Sequence, residues 1–184
     1  MARRIEIRLA GTGGQGVITA GVLLAEAAVR DGKEVVQSQS YGPEARGGAS
    51  RAEVIISNHE IYFPKVIDAD VLLCMSQQAC DRYADQLKEH GLLILDGDHV
   101  SRAPTTTAMR ASITELAKKV TGRQITANVT ALGLLVGLTE VVSRKALEEA
   151  VRARVPKGTE ELNMKALAAG FEEAERVRSA SSLG

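Results

Sequence analysis

The sequence predicts an α/β fold with a mostly parallel, mixed central sheet, and three observations carry that prediction. A short apolar strand runs through a glycine turn into an Ala- and Leu-rich helix, and strand-like and helix-like segments keep alternating along the chain. The second and third strands are joined by too few residues for a helical crossover, so they run antiparallel if they are neighbours. With 184 residues, of which 45% are hydrophobic, the chain can bury one substantial core, and its length favours one domain.

The first strand reads from Ile5 to Ala10, and the helix that follows spans Val17 to Arg30, ending at Asp31-Gly32. Glu34 to Ser38 gives the second strand and Arg51 to Ser57 the third. Asp70 to Ser76 is a buried strand by its continuous apolar run. Cys80 to Gly91 reads as a helix closed by its glycine, and Leu92 to Asp96 as another strand. Thr107 to Lys119 carries helical spacing, Ile125 to Leu138 is a buried helix rich in small residues, and Ser143 begins a further helix. Pro156-Lys157-Gly158 breaks that helix, after which Met164, Leu167, Phe171 and Ala174 recur on one helical face. Only about residues 179–184 read as a disordered tail.

Composition narrows the function. A formal net charge of zero gives no general attraction to nucleic acid or to an anionic membrane, and three Tyr, two Phe and no Trp leave few rings for bases to stack on. The longest apolar stretch, Ala131 to Leu138, falls short of the roughly 18 residues that suggest a membrane span, so a soluble, cytoplasmic protein is expected. Two cysteines fit that compartment.

Gly11-Thr12-Gly13-Gly14-Gln15-Gly16 satisfies G-x-G-x-x-G between a strand and a helix. Glycines there let backbone N–H groups approach an anion while the helix N-terminus favours negative charge. A dinucleotide fold also needs an acid at the end of the second strand, where this chain has Val35-Val36-Gln37-Ser38; Asp31 and Glu34 fall at the opposite edge of the sheet. No Lys-Ser/Thr follows Gly16, which excludes a P-loop. A plain tight turn, another anion and a subunit interface stay open.

The stretch "SYGPEARGG" sets Tyr41, Glu44 and Arg46 among Gly42, Gly47 and Gly48, after the second strand and at the same sheet edge as the first glycine loop. Arg46 offers a planar fork for phosphate or carboxylate, and Glu44 can orient it or meet a neighbouring subunit. An ordinary surface loop with a solvated ion pair is the competing reading.

Cys74 and Cys80, with five residues between them, form neither a redox pair nor half of a zinc site and read as core thiols. His59, His90 and His99 fall in turn-like segments and read as solvated. No catalytic residue and no metal ligand set is indicated, so the chain reads as a component of an enzyme. The small-residue run Asn128 to Gly137 and the glycine clusters suit close packing with other subunits.

"GTGGQGVITAG", "QSQSYGPEARGGASRAEVIIS", "YFPKV", "ADVLLCMSQQA" and "VPKGTEELNMKAL" together resemble the gamma subunit of 2-oxoacid:ferredoxin oxidoreductases, most closely the 2-oxoglutarate type, from about Ile5 to Phe171. The related indolepyruvate enzymes carry a different segment where this chain has Tyr41 to Ala45. The resemblance implies a three-layer α/β/α fold, with residues 1–184 as one gamma-type domain. It implies a complex with alpha, beta and ferredoxin-like delta subunits, with ferredoxin as the acceptor. Thiamine diphosphate, magnesium and 4Fe-4S clusters would be held by the partners, and coenzyme A shared with them. Gly11, Gly13, Gly14, Gln15, Gly16, Tyr41, Glu44, Arg46, Gly47 and Gly48 are then the candidate binding residues. The alternative is a stand-alone nucleotide- or anion-binding α/β protein.

Overall fold

The structure, a computed structural model, describes residues 4–40, 49–104 and 108–181. Strands β1 (Arg4–Thr12), β2 (Glu34–Ser40), β3 (Ala49–Ser57), β4 (Ala69–Cys74), β5 (Leu87–Asp96) and β6 (Met109–Ala111) form one sheet in the order β2-β3-β1-β4-β5-β6. Strand β3 is antiparallel to both neighbours, β1 and β2, while β1, β4, β5 and β6 pair parallel, so β3 alone runs against the rest. The mixed sheet expected from the short β2–β3 connection is therefore present.

Alternation along β1 builds two layers. Ile7 and Leu9 face a large core shared with helices α1 (Val17–Arg30), α3 (Ile113–Thr121), α4 (Ala127–Thr139), α5 (Arg144–Arg154) and α6 (Glu160–Ser181). Ala10 faces a smaller core on the other side, built with α2 (Gln77–Tyr83) and Val100. Three layers result, one thick in helices and one thin. Helix α1 lies close to β3 because a Cβ on Gly21 would sit 2.5 Å from that of Ala52. Its end follows the sequence reading, with Asp31 as C-cap and Gly32 at φ +70°. Asp31 then accepts from the backbone N and hydroxyl of Ser143, whose own hydroxyl caps α5 through Ala146 N at 3.1 Å.

Several expectations change. Helix α2 begins at Gln77, capped by Ser76, and stops at Tyr83; after a 3₁₀ turn, residues 87–91 already belong to β5, where Gly91 is strand backbone and not a helix stop. The polar run from Leu87 to Gly91 reads as a helix end, but the ladder with β4 shifts register there and absorbs it as an irregular strand entry. Within the supposed helix of residues 107–119, Met109–Ala111 pair with β5 and only Ile113 onward is helical. A three-residue strand is too short to show its period. Helix α6 continues to Ser181, into the segment expected to be disordered.

The glycines of α4 do not serve a partner. A Cβ on Gly133 would lie 2.3 Å from the carbonyl of Leu167, and one on Gly170 would lie 2.1 Å from that of Thr130, so α4 and α6 pack backbone to backbone within the chain. Helix α4 is buried from Ala127 through Val136, which corrects the reading of its small residues as a subunit surface. Among the described residues, no helix is long and apolar enough to cross a membrane.

Candidate functional site

The carboxyl ends of β1, β4 and β5 form one edge of the sheet, where loops collect chemistry in open α/β folds. At that edge β1 runs into Gly13-Gly14-Gln15-Gly16 and α1 begins. Gly14 and Gly16 have φ of +88° and +72°, values that favour glycine. Gly13 and Gly14 are exposed, and a Cβ on either would meet nothing within 4 Å, so the loop crest is bare backbone.

Gln15 fastens this crest to the next strand. Its Oε1 accepts from Thr12 N at 2.8 Å, and its Nε2 donates to the carbonyl of Met75 at 2.7 Å, just beyond β4. A Cβ on Gly11 would lie 2.5 Å from Gln15 Oε1, so a side chain there would push this tie aside. Gly16, the N-cap of α1, contributes no side-chain cap, and the amides of Val17, Ile18 and Thr19 meet no acceptor among the described residues. An exposed glycine crest ahead of helix-terminal N–H groups has the chemistry that suits an anion.

Beside it lies a cavity of about 260 Å³ lined by Gly14, Gln15, Met75, Thr114, Ile125 and their neighbours. Its far wall is built on Asp96, a fully buried carboxylate at the end of β5. Asp96 accepts from Ile113 N, from Thr114 N, from Thr114 Oγ1 at 2.5 Å and lies 2.9 Å from His99 Nδ1, thereby capping α3. His99 thus leans on the buried acid while its side chain stays exposed to solvent, as its turn-like segment suggested. His90 and His59 are exposed, as expected.

Tyr41, Glu44, Arg46, Gly47 and Gly48 lie outside the described residues. Their two anchors do not: Ser40 pairs with Arg51, and Ala49 pairs with Thr12 at the foot of the glycine loop. The segment therefore leaves and rejoins the sheet at the edge that carries Gly11–Gly16.

On the thin side of the sheet, Arg8 is buried, donating from Nε to Glu53 Oε1 at 2.8 Å and to the carbonyls of Val66 and Ile67. Cys74 and Cys80 are both free and buried, as core thiols should be. Hydrogen bonding to Cys80 first, and burial second, push the Cys74 thiol well above its ordinary range, while the same bond draws Cys80 below it. No group of three His, Cys, Asp or Glu among the described residues is arranged to hold a metal ion.

Asn128, in the first turn of α4, escaped the sequence reading; it donates from Nδ2 to the carbonyl of Gly16 at 3.2 Å. The signal was an amide in an otherwise apolar helix start.

Comparison with known proteins agrees with this architecture. Residues 6–173 match the family model described as pyruvate ferredoxin/flavodoxin oxidoreductase. The 2-oxoglutarate synthase subunit KorC of Methanocaldococcus jannaschii is 50% identical over 95% of this chain and 96% of its own length. The crystal structure of the keto/oxoacid ferredoxin oxidoreductase gamma subunit from Geobacter sulfurreducens superposes with a TM-score of 0.83, at 51% identity over 94% of this chain and 99% of that one. A 2-oxoglutarate:ferredoxin oxidoreductase from Magnetococcus marinus, solved with 2-oxoglutarate, coenzyme A and succinyl-CoA bound, shares the fold at TM-score 0.83 and 24% identity; this chain covers 31% of that longer one. The chain belongs to the pyruvate ferredoxin/flavodoxin oxidoreductase family, as a gamma subunit of the 2-oxoacid:ferredoxin oxidoreductases most like the 2-oxoglutarate synthase subunit KorC.

Proposed function

We propose that this chain is the non-redox subunit of a complex that oxidatively decarboxylates 2-oxoglutarate to an acyl-CoA with reduction of ferredoxin, and that its glycine edge helps to receive coenzyme A. The observation that carries the coenzyme role is the bare crest at Gly13-Gly14, followed by the amides of Val17, Ile18 and Thr19, which meet no acceptor among the described residues. Phosphate groups suit those donors. The cavity beside them, about 260 Å³, is smaller than a typical pocket for a molecule of that size, so the rest of the coenzyme would be covered by partner subunits. The names of the 2-oxoglutarate synthase relatives, and the 2-oxoglutarate and coenzyme A bound to the Magnetococcus enzyme, support this choice of substrates.

Thiamine diphosphate, bound in a partner with magnesium, supplies the decarboxylation chemistry in this reading, and partner iron–sulfur clusters carry the electrons. The residues here do not fit a cluster: two cysteines cannot supply the four thiolates of an ordinary one. This chain's contribution is to bind and orient. Gln15 holds the crest, the α1 amides would meet the anion, and Arg46, in the same stretch of sequence as Tyr41, Glu44, Gly47 and Gly48, would add a forked cation. Alpha, beta and delta subunits are the proposed partners and ferredoxin the proposed acceptor, in the cytoplasm.

The test is steady-state activity of the reconstituted complex against coenzyme A concentration, with assembly followed by gel filtration. Arg46→Ala should raise the apparent KM for coenzyme A by about thirty- to a hundredfold, equivalent to roughly 2–3 kcal/mol of charge-assisted bonding, and Arg46→Lys should recover part of it. Gly13→Asp, which sets a carboxylate on the crest, should raise that KM as well. Wild-type values in all three variants would refute the coenzyme role, and a chain that purifies alone while binding NAD or FAD tightly would refute the complex.

A further inference from the structure

We infer that Asn128 is a positioning residue for coenzyme A, acting through the peptide plane that joins Gly16 to Val17. The inference rests on the anion-binding reading of the glycine edge given above.

The peptide group is planar, so the carbonyl of Gly16 and the N–H of Val17 point in opposite directions from one rigid plate. Whatever fixes the carbonyl fixes the donor. The carbonyl of Gly16 accepts from Ala20 N at 2.9 Å, the first turn of α1, and from Asn128 Nδ2 at 3.2 Å. Asn128 is oriented in turn, because its Oδ1 accepts from Val129 N at 2.9 Å, which leaves the NH₂ end to face the loop. The side chain is 8% exposed, so few other rotamers are open to it.

Volume reinforces the bond. A Cβ on Gly16 would lie 2.6 Å from Asn128 Nδ2, so the amide fills the space a side chain would take, against a backbone already in the left-handed region at φ +72°. Most N-caps use their own Ser, Thr, Asp or Asn oxygen to bond the N2 or N3 amide. Here the cap has no side chain, and support arrives from another helix at the carbonyl side instead. That holds the direction of the Val17, Ile18 and Thr19 donors, which have no acceptor among the described residues. Asn128 touches the far side of the loop and not the anion, so it orients the receptor without occupying it.

The reconstituted complex provides the test. Asn128→Ala should raise the apparent KM for coenzyme A by about tenfold, the worth of a hydrogen bond of roughly 1.4 kcal/mol, with kcat at saturating coenzyme A and the KM for 2-oxoglutarate within twofold of wild type. Asn128→Asp keeps the acceptor for Val129 N but turns an oxygen toward the Gly16 carbonyl, and should raise the coenzyme KM further. If the alanine variant does not assemble, Asn128→Ser, which retains a smaller donor, carries the same measurement. A lowered melting temperature with an unchanged coenzyme KM, while Gly13→Asp still raises it, would make Asn128 a structural cap only and overturn the inference. Unchanged KM in both Asn128→Ala and Gly13→Asp would remove the anion-binding reading itself.

Discussion

Gln15 Nε2 donates to the carbonyl of Met75 at 2.7 Å, so a single side chain ties the glycine loop after β1 to the backbone leaving β4. Its other end accepts from Thr12 N at 2.8 Å. Gln15→Ala removes both bonds and leaves Thr12 N and Met75 O to find water, for an expected loss of about 1–2 kcal/mol. Urea denaturation of the purified chain measures it, and a midpoint equal to wild type would show that the tie contributes nothing.

A larger effect is expected at Glu53. Its carboxylate sits 2.8 Å from the guanidinium of Arg8, whose side chain is 2% exposed, with Arg51 3.8 Å away. Removing the acid strands a cation between a sheet and a helix, and Glu53→Ala should cost about 3–5 kcal/mol. The double variant Glu53→Leu with Arg8→Met should recover much of that loss, since replacing both charges with apolar groups removes the stranded ion. Equal instability of the single and double variants would contradict this account.

Gly170→Ala tests the α4–α6 contact. The added methyl would fall 2.1 Å from the Thr130 carbonyl and 2.8 Å from Leu134 N, both backbone atoms that cannot turn aside. Separation of the helices should cost about 3 kcal/mol, a sizeable part of a small domain's stability. Thermal denaturation should show the loss before any partner is added, because the contact lies within this chain.

The thiols give a pH-dependent outcome. Hydrogen bonding from Cys74 lowers Cys80 from its ordinary range, while Cys74 is raised, so negative charge gathers on Cys80 as pH rises. Iodoacetamide between pH 7 and 9 should alkylate Cys80 ahead of Cys74, faster at higher pH, and both more slowly than in urea because both are buried. Peptide mass spectrometry decides the order. The same two thiols should yield no cluster when the chain alone is treated with iron and sulfide, as iron content and visible absorption would report.

Much of this was legible in the residues. Val17 to Arg30 matches α1 because the helix carries its own apolar stripe and its own Gly32 stop. The short connection made β2 and β3 antiparallel if they were neighbours, and the sheet order makes them so. What failed was information held in pairing. Leu87 to Gly91 is polar and looks helical until β4 lies beside it, and Met109–Ala111 is a strand only because β5 offers an edge. Gly133 and Gly170 advertise close packing without naming the partner helix. At the site, the glycine loop was visible as a motif, but Asn128 and Met75 lie 112 and 60 positions from the loop residues they bond, beyond the reach of local pattern.

The antiparallel β2–β3 ladder has one consequence for diversification. Seven cross-strand partners from Glu34–Ser57 to Ser40–Arg51 set the register on one side of β3, and β1 sets it again on the other, through Thr12–Ala49. The register of β3 is therefore fixed twice, by β1 and by β2, and the entropy of closing a connection grows only with the logarithm of its length, so neither ladder depends on the length of the chain between Ser40 and Ala49. Under the coenzyme role proposed above, rewriting the eight residues between Ser40 and Ala49 would retune recognition while β1 and β2 keep the register of β3.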